Sequence, residues 1–167
     1  GGLPYRNYQY SLSNPNDKDT LTERIDFNQS SSSQWFGRYS WNDESSFAVT
    51  PTMTLVDGNV LYTRASQWVL SNVKTLSPTK VNEARFGYSS LFNNITQQLA
   101  SVRNVNADLN TPFKVTDPNS YGLPNVSMTG QNLNGWGNPT SSPFQIDDKY
   151  FQWVDNFSYI RGKHSLR

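Results

Sequence analysis

The residues of this sequence whose types could carry acid–base or metal chemistry are few: one histidine, His164, and thirteen carboxylates. Hydrolysis of a glycosidic bond needs two carboxyl groups facing one another across the scissile oxygen. Glu23 with Asp26, or Asp43 with Glu44, supply such pairs on paper, although solvated side chains account for them more simply. Asp147, Asp148 and Asp155 are oxygen ligands suited to calcium, but the spacing of an EF-hand loop is missing. No Ser/His/Asp set can be assembled without His164, whose place in a Gly162-Lys163-His164 turn a structural role accounts for more simply, and neither cysteine nor a histidine–carboxylate cluster offers a transition-metal site. The expectation is a protein that is not an enzyme, with no catalytic, cofactor-binding or metal-binding residues and no cofactor. Ligand contact is expected instead from Tyr121 and Trp136, exposed aromatics set among Gly, Pro and Asn, although packing within their own loop would also account for them.

The elements that position these residues are read from composition and period. Of 167 residues, 35% are hydrophobic, 16% charged and 14% aromatic. Low charge together with abundant Asn, Ser, Thr and aromatic residues suits porin-like barrels, secreted β-proteins and carbohydrate binders. A net charge of +1 makes no electrostatic case for nucleic acid. No apolar run reaches the 18 or so residues of a membrane helix, which leaves membrane-crossing strands untouched because they alternate. Gly1-Gly2-Leu3-Pro4-Tyr5 carries no signal-peptide pattern, so an export signal is expected outside this stretch.

Helical period is nearly absent and alternation is common, which predicts strands over 19–28, 34–43, 59–76, 81–92 and 148–160, with another starting at 165. In 34–43, Trp35, Gly37, Tyr39 and Trp41 share one side, Arg38, Ser40 and Asn42 the other, and Phe36 is the exception. In 148–160, Phe151, Trp153, Phe157 and Tyr159 share a face. Asp155 intrudes on that face, and a bulge is the only account the pattern offers. Arg24, Arg38, Arg64 and Arg85 are assigned to polar faces.

The connections alternate in length. Gln29–Ser33, Ser77–Lys80 and Arg161–His164 are short, whereas Glu44–Gly58 is long and 93–147 very long. Short periplasmic turns and long extracellular loops are the habit of outer-membrane barrels, whose strands need roughly 9–11 residues to cross the bilayer. The fold class expected is therefore all-β: an antiparallel meander spanning 1–167, part of a large transmembrane β-barrel. Five strands and a stub cannot close, since single-chain bacterial barrels start at about eight, so a fragment of one barrel domain is expected. The alternative is a secreted all-β carbohydrate-binding module.

Several segments resemble a known family. Gln34-Trp35-Phe36-Gly37-Arg38-Tyr39-Ser40-Trp41, the stretch from Leu76 through Ser77-Pro78-Thr79-Lys80 to Tyr88, and Asp155 through Arg161-Gly162-Lys163-His164 to Arg167 are similar to strands and hairpins of TonB-dependent receptors. The likeness is to the Oar-like type that carries a carboxypeptidase-regulatory-like domain; Thr22–Asn28 matches more loosely. The resemblance implies the bacterial outer membrane and a barrel of about 22 strands, closed by a plug domain and energised through TonB. It implies uptake of a bulky nutrient or surface export, with outer-membrane lipid, plug, TonB system and an unidentified extracellular ligand as partners. Neither plug nor TonB box is visible in these residues.

Overall fold

The structure, a computed structural model, describes residues 11, 13–49, 58–127, 135, 137–138 and 142–167. Six strands form one sheet in chain order: β1 (Asn16–Ser30), β2 (Ser33–Val49), β3 (Gly58–Ser77), β4 (Lys80–Gln97), β5 (Phe144–Arg161) and β6 (His164–Leu166). This is the antiparallel meander of an all-β fold. Every neighbour in the sheet is also a neighbour in sequence, as short connections favour.

The strands run longer than alternation alone indicates. β1 begins three residues before Asp19, and β2 continues to Val49, taking up the first part of the loop expected over 44–58. Residues 50–57 of that loop lie outside the described residues. The connection expected over 93–147 is likewise shorter, because β4 persists to Gln97 and β5 starts at Phe144. Polar residues such as Asn93, Gln97 and Asp147 read as loop, yet a strand end accepts them when the ladder supplies its backbone bonds.

Pairs of residues make the three tight turns: Ser31–Ser32, Pro78–Thr79 and Gly162–Lys163. In the last, Arg161 pairs with His164, Ile160 with Ser165 and Tyr159 with Leu166. Gly162 has φ +60°, a left-handed conformation that L side chains resist. A Cβ added there meets nothing within 4 Å, so a substitution should cost backbone strain alone. We expect Gly162→Ala to lower the stability of the refolded full-length protein by about 1–2 kcal/mol, read from the denaturant midpoint. Gly162→Asn, which tolerates this conformation better, should lose less.

Two compact units share the chain: 18–44, 62–94 and 145–167 form one, and 1–17, 45–61 and 95–144 the other. The first is the sheet body. Its faces are defined by side-chain contacts that run strand to strand. Trp35 donates from Nε1 to Gln29 at 3.0 Å, Tyr39 lies 4.3 Å from Trp68, Tyr62 6.0 Å from Phe92, and Phe86 5.5 Å from Trp153. Odd-numbered residues of β1, β2 and β5 therefore share a face with even-numbered residues of β3 and β4. Neither face covers a core. Among the described residues Val105 is the only buried apolar one, and it lies in the other unit.

That other unit is held by polar contacts. Among its described residues are a single turn of helix, α1 (Val105–Asp108), and one 3-10 turn, η1 (Pro118–Ser120). Asn104 caps α1 by accepting from the Ala107 amide, and Asp117 caps η1 by accepting from the Asn119 amide. Buried Asn106 donates to the Gly122 carbonyl at 2.9 Å, and buried Asn138 accepts from the Leu123 amide at 2.9 Å. Gly137 has φ +99°, and the Pro124 carbonyl lies so close that no Cβ fits.

Candidate functional site

The sheet body presents two faces of opposite character, and these are the candidate functional surfaces. On the first face, large apolar side chains stand exposed: Ile25 at 72%, Phe27 at 59%, Trp68 at 53%, Phe151 at 58% and Trp153 at 72%. Phe151 and Trp153 stack at 6.0 Å, and Tyr88 lies 5.0 Å from Phe151. A contiguous patch of this kind is unusual on a monomer in water and marks a surface that something apolar covers.

The patch has polar rims. On β3, Trp68 and Leu70 lie between Arg64 and Asn72, eight residues apart; at about 3.3 Å per residue that is roughly 26 Å along the strand. Asn72 donates to Ser33 and to the Gln34 carbonyl, and Ser33 donates to Gln29 at 3.0 Å, forming a polar border next to the Ser31–Ser32 turn. On the same side Lys80 lies over the Tyr159 ring at 5.2 Å. Asp155 is explained by a partner rather than by a bulge: Asn82 donates to it at 2.9 Å from the neighbouring strand. At the other rim Arg64 binds Asp43 at 2.6 Å, and Tyr62 donates to the same carboxylate oxygen at 3.3 Å.

Arg64 thus corrects its sequence assignment. It shares the aromatic face with Trp68 and Tyr62, not the polar face with the other arginines. Tilted by about 35–45°, as strands of an outer-membrane barrel are, the length from Arg64 to Asn72 rises roughly 20 Å, which fits within an apolar band about 25 Å tall between interfacial girdles.

The second face is hydrophilic. Thr20 donates to Asn42 at 3.1 Å and Thr22 to Ser40 at 3.3 Å. Asn93 donates to Thr63 at 3.1 Å, and Lys18 pairs with Glu44 at 3.3 Å. The Arg24 guanidinium lies 4.2 Å from the centre of the Phe36 ring and binds Asp26 at 2.6 Å. Phe36, the exception in the alternation of β2, is therefore a platform for a cation.

The carboxylate pairs considered for catalysis do not assemble. Glu23 and Asp26 point to opposite faces, as do adjacent Asp43 and Glu44. Asp26, Asp43 and Glu44 each have a cationic partner of their own. Asp147 and Asp155 are eight residues apart on one strand, too far to share an ion, and no group of three or more metal-ligating side chains exists among the described residues. No described helix is long and apolar enough to cross a membrane.

Of the two aromatics expected to touch a ligand, Tyr121 follows η1 and is half-buried. Trp136 lies outside the described residues. Close to Tyr121, a cleft of about 330 Å³ is lined by Gln97, Asn106, Phe113, Leu123, Asn125 and Asn138, among others. Sequence reasoning missed its buried amides, Asn106 and Asn138. Asparagine is frequent here, and nothing local separates a buried one from a solvated one.

A protein-family model described as an outer membrane beta barrel domain matches residues 1–167. No curated protein and no solved structure matches the chain.

Proposed function

The chain belongs to the outer membrane beta barrel domain family and forms barrel wall in the bacterial outer membrane; on that premise we propose that the barrel is a TonB-dependent receptor that takes up a bulky nutrient or serves surface export. The observation that carries this reading is where the resembling segments fall. Residues 34–41 lie within β2, 76–88 make the β3/β4 hairpin, and 155–167 make the β5/β6 hairpin. The likeness therefore resides in framework strands and tight turns, the parts of a barrel that vary least in length.

The sheet geometry supports a large closed assembly. β1 and β6 are both edges of the six-stranded order, and an open edge is not tolerated in lipid. Further strands must close the wall, and a wide barrel of this class holds a plug in its lumen. The hydrophilic face, with its ion pairs at Arg24, Arg85 and Lys18, suits water and plug on the inside. The apolar face suits lipid on the outside. Ligand contact falls to the connection between β4 and β5, with Tyr121 and Trp136. No catalytic step is part of the proposal.

The test uses the full-length protein in detergent micelles and the periplasmic domain of TonB. A one-to-one complex by analytical ultracentrifugation, strengthened when ligand-containing medium is supplied, is the expected result. Absence of a complex under both conditions would overturn the TonB-dependent reading and leave the barrel wall as it stands.

A further inference from the structure

The hydrophilic face of the sheet body contains a cleft of about 340 Å³ whose wall includes Arg24, Arg38 and Arg85, with Gln67, Gln152 and Tyr150 around them. Among the described residues no carboxylate lines it. Arg24 and Arg85 have acidic partners two residues away along their own strands, Asp26 and Glu83, and those partners stand outside the wall. Arg38 differs. Its hydrogen bond goes to the side-chain oxygen of Gln67 at 3.2 Å, and among the described residues no carboxylate lies within ion-pair reach of it. A guanidinium presents five donors in a fixed fork, and one amide oxygen occupies only one of them.

The cleft is also open at its floor. Gly87 has no side chain, and a Cβ built there would find its nearest neighbour, Gln152, at 3.8 Å. Phe36 covers one face of Arg24 at 4.2 Å, which removes water from that side and strengthens its remaining interactions. Gln67, Gln152 and Tyr150 add neutral donors and acceptors, and with Asp26 and Glu83 offsetting Arg24 and Arg85, Arg38 is the uncompensated charge of the cleft.

We propose that this cleft is a binding site for a small polycarboxylate, with Arg38 as its anchor. One carboxylate takes the free part of the Arg38 fork, and the other carboxylates meet the N–H donors of Arg24 and Arg85 that Asp26 and Glu83 leave over. The cleft volume is at the lower end of small-molecule sites, about 300–1,000 Å³, which fits an organic acid of a few carbons. The inference rests on the barrel reading, because enclosure of this face within a lumen is what focuses the field of Arg38, whose charge no carboxylate offsets, on a solute.

The experiment is calorimetric titration of the full-length protein in detergent micelles with tricarballylate, which carries three carboxylates, at low ionic strength. The expected result is saturable binding that weakens with added salt and is absent with the uncharged triamide of the same shape. Arg38→Gln should weaken binding about ten- to a hundredfold, the loss of one charge-assisted hydrogen-bonded contact. Arg38→Lys, which keeps the charge without the fork, should fall between.

Unchanged affinity in Arg38→Gln overturns the proposal. So does the absence of tricarballylate binding together with a lowered unfolding midpoint in Arg38→Gln, which would assign Arg38 to an internal ion pair with another segment. Heat-modifiable electrophoretic mobility of the unsubstituted protein reports on the barrel separately. Its loss would count against the barrel, whereas its retention with no binding counts against the site alone.

Discussion

Trp153→Arg should lower the stability of the vesicle-inserted full-length protein by about 2–4 kcal/mol, the cost of a cation facing the middle of the bilayer. Trp153 is 72% exposed, contacts only Phe86 and Phe151 among aromatic neighbours, and stands in the middle of the apolar band. In a water-soluble sheet so exposed a position would accept arginine at little cost. Asn156→Arg is the internal comparison. It lies three residues along the same strand, on the opposite face, and is exposed outside the arginine cleft. Its expected cost is under about 1 kcal/mol, as for a solvated surface change. Refolding into vesicles over a urea series, read by heat-modifiable mobility, measures both. Equal effects at the two positions would sink the assignment of faces.

The second large effect is expected at Arg64. Asp43 accepts from Arg64 at 2.6 Å and from Tyr62 at 3.3 Å on the apolar face, where the carboxylate is 22% exposed and the guanidinium 54%. In water such a half-exposed pair would contribute little, about 0–1 kcal/mol. At the rim of an apolar band the balance differs, because removing the cation leaves a largely covered carboxylate without its partner. Arg64→Gln should therefore cost about 1–3 kcal/mol. The double variant Asp43→Asn, Arg64→Gln should cost less than the single one, since it removes the stranded charge as well. The same refolding series tests this. A double variant that loses the sum of the two single losses would show that the pair is not coupled.

Several features were legible from residue order because they are local. Alternation along β2 separates Trp35, Tyr39 and Trp41 from Arg38, Ser40 and Asn42, and any extended strand must place successive side chains on opposite sides. Pro78 and Gly162 mark turns because their backbone preferences are intrinsic. The same local logic separates the paired carboxylates, since residues one or three apart on a strand point to opposite faces.

What residue order leaves open has a common cause. Alternation puts Arg64 with the other arginines, yet its partner Asp43 comes from a different strand, 21 residues earlier. Asp155 reads as an interruption because Asn82 lies 73 residues away. Strand ends read as loop because polar residues there gain their backbone partners only from a neighbouring strand. Asn106 and Asn138 carry no local mark because burial of an amide depends on which partner the rest of the chain brings to it.

Residue order by itself thus determined the class of structure, the position of the tight turns and the two-faced character of each strand, all consequences of backbone preference and a two-residue period. Only the tertiary structure decided which faces of different strands coincide, which arginine shares the aromatic face and which three line a common cleft. Those outcomes depend on inter-strand register. Register is set by contacts between residues far apart in sequence, and no local pattern encodes it.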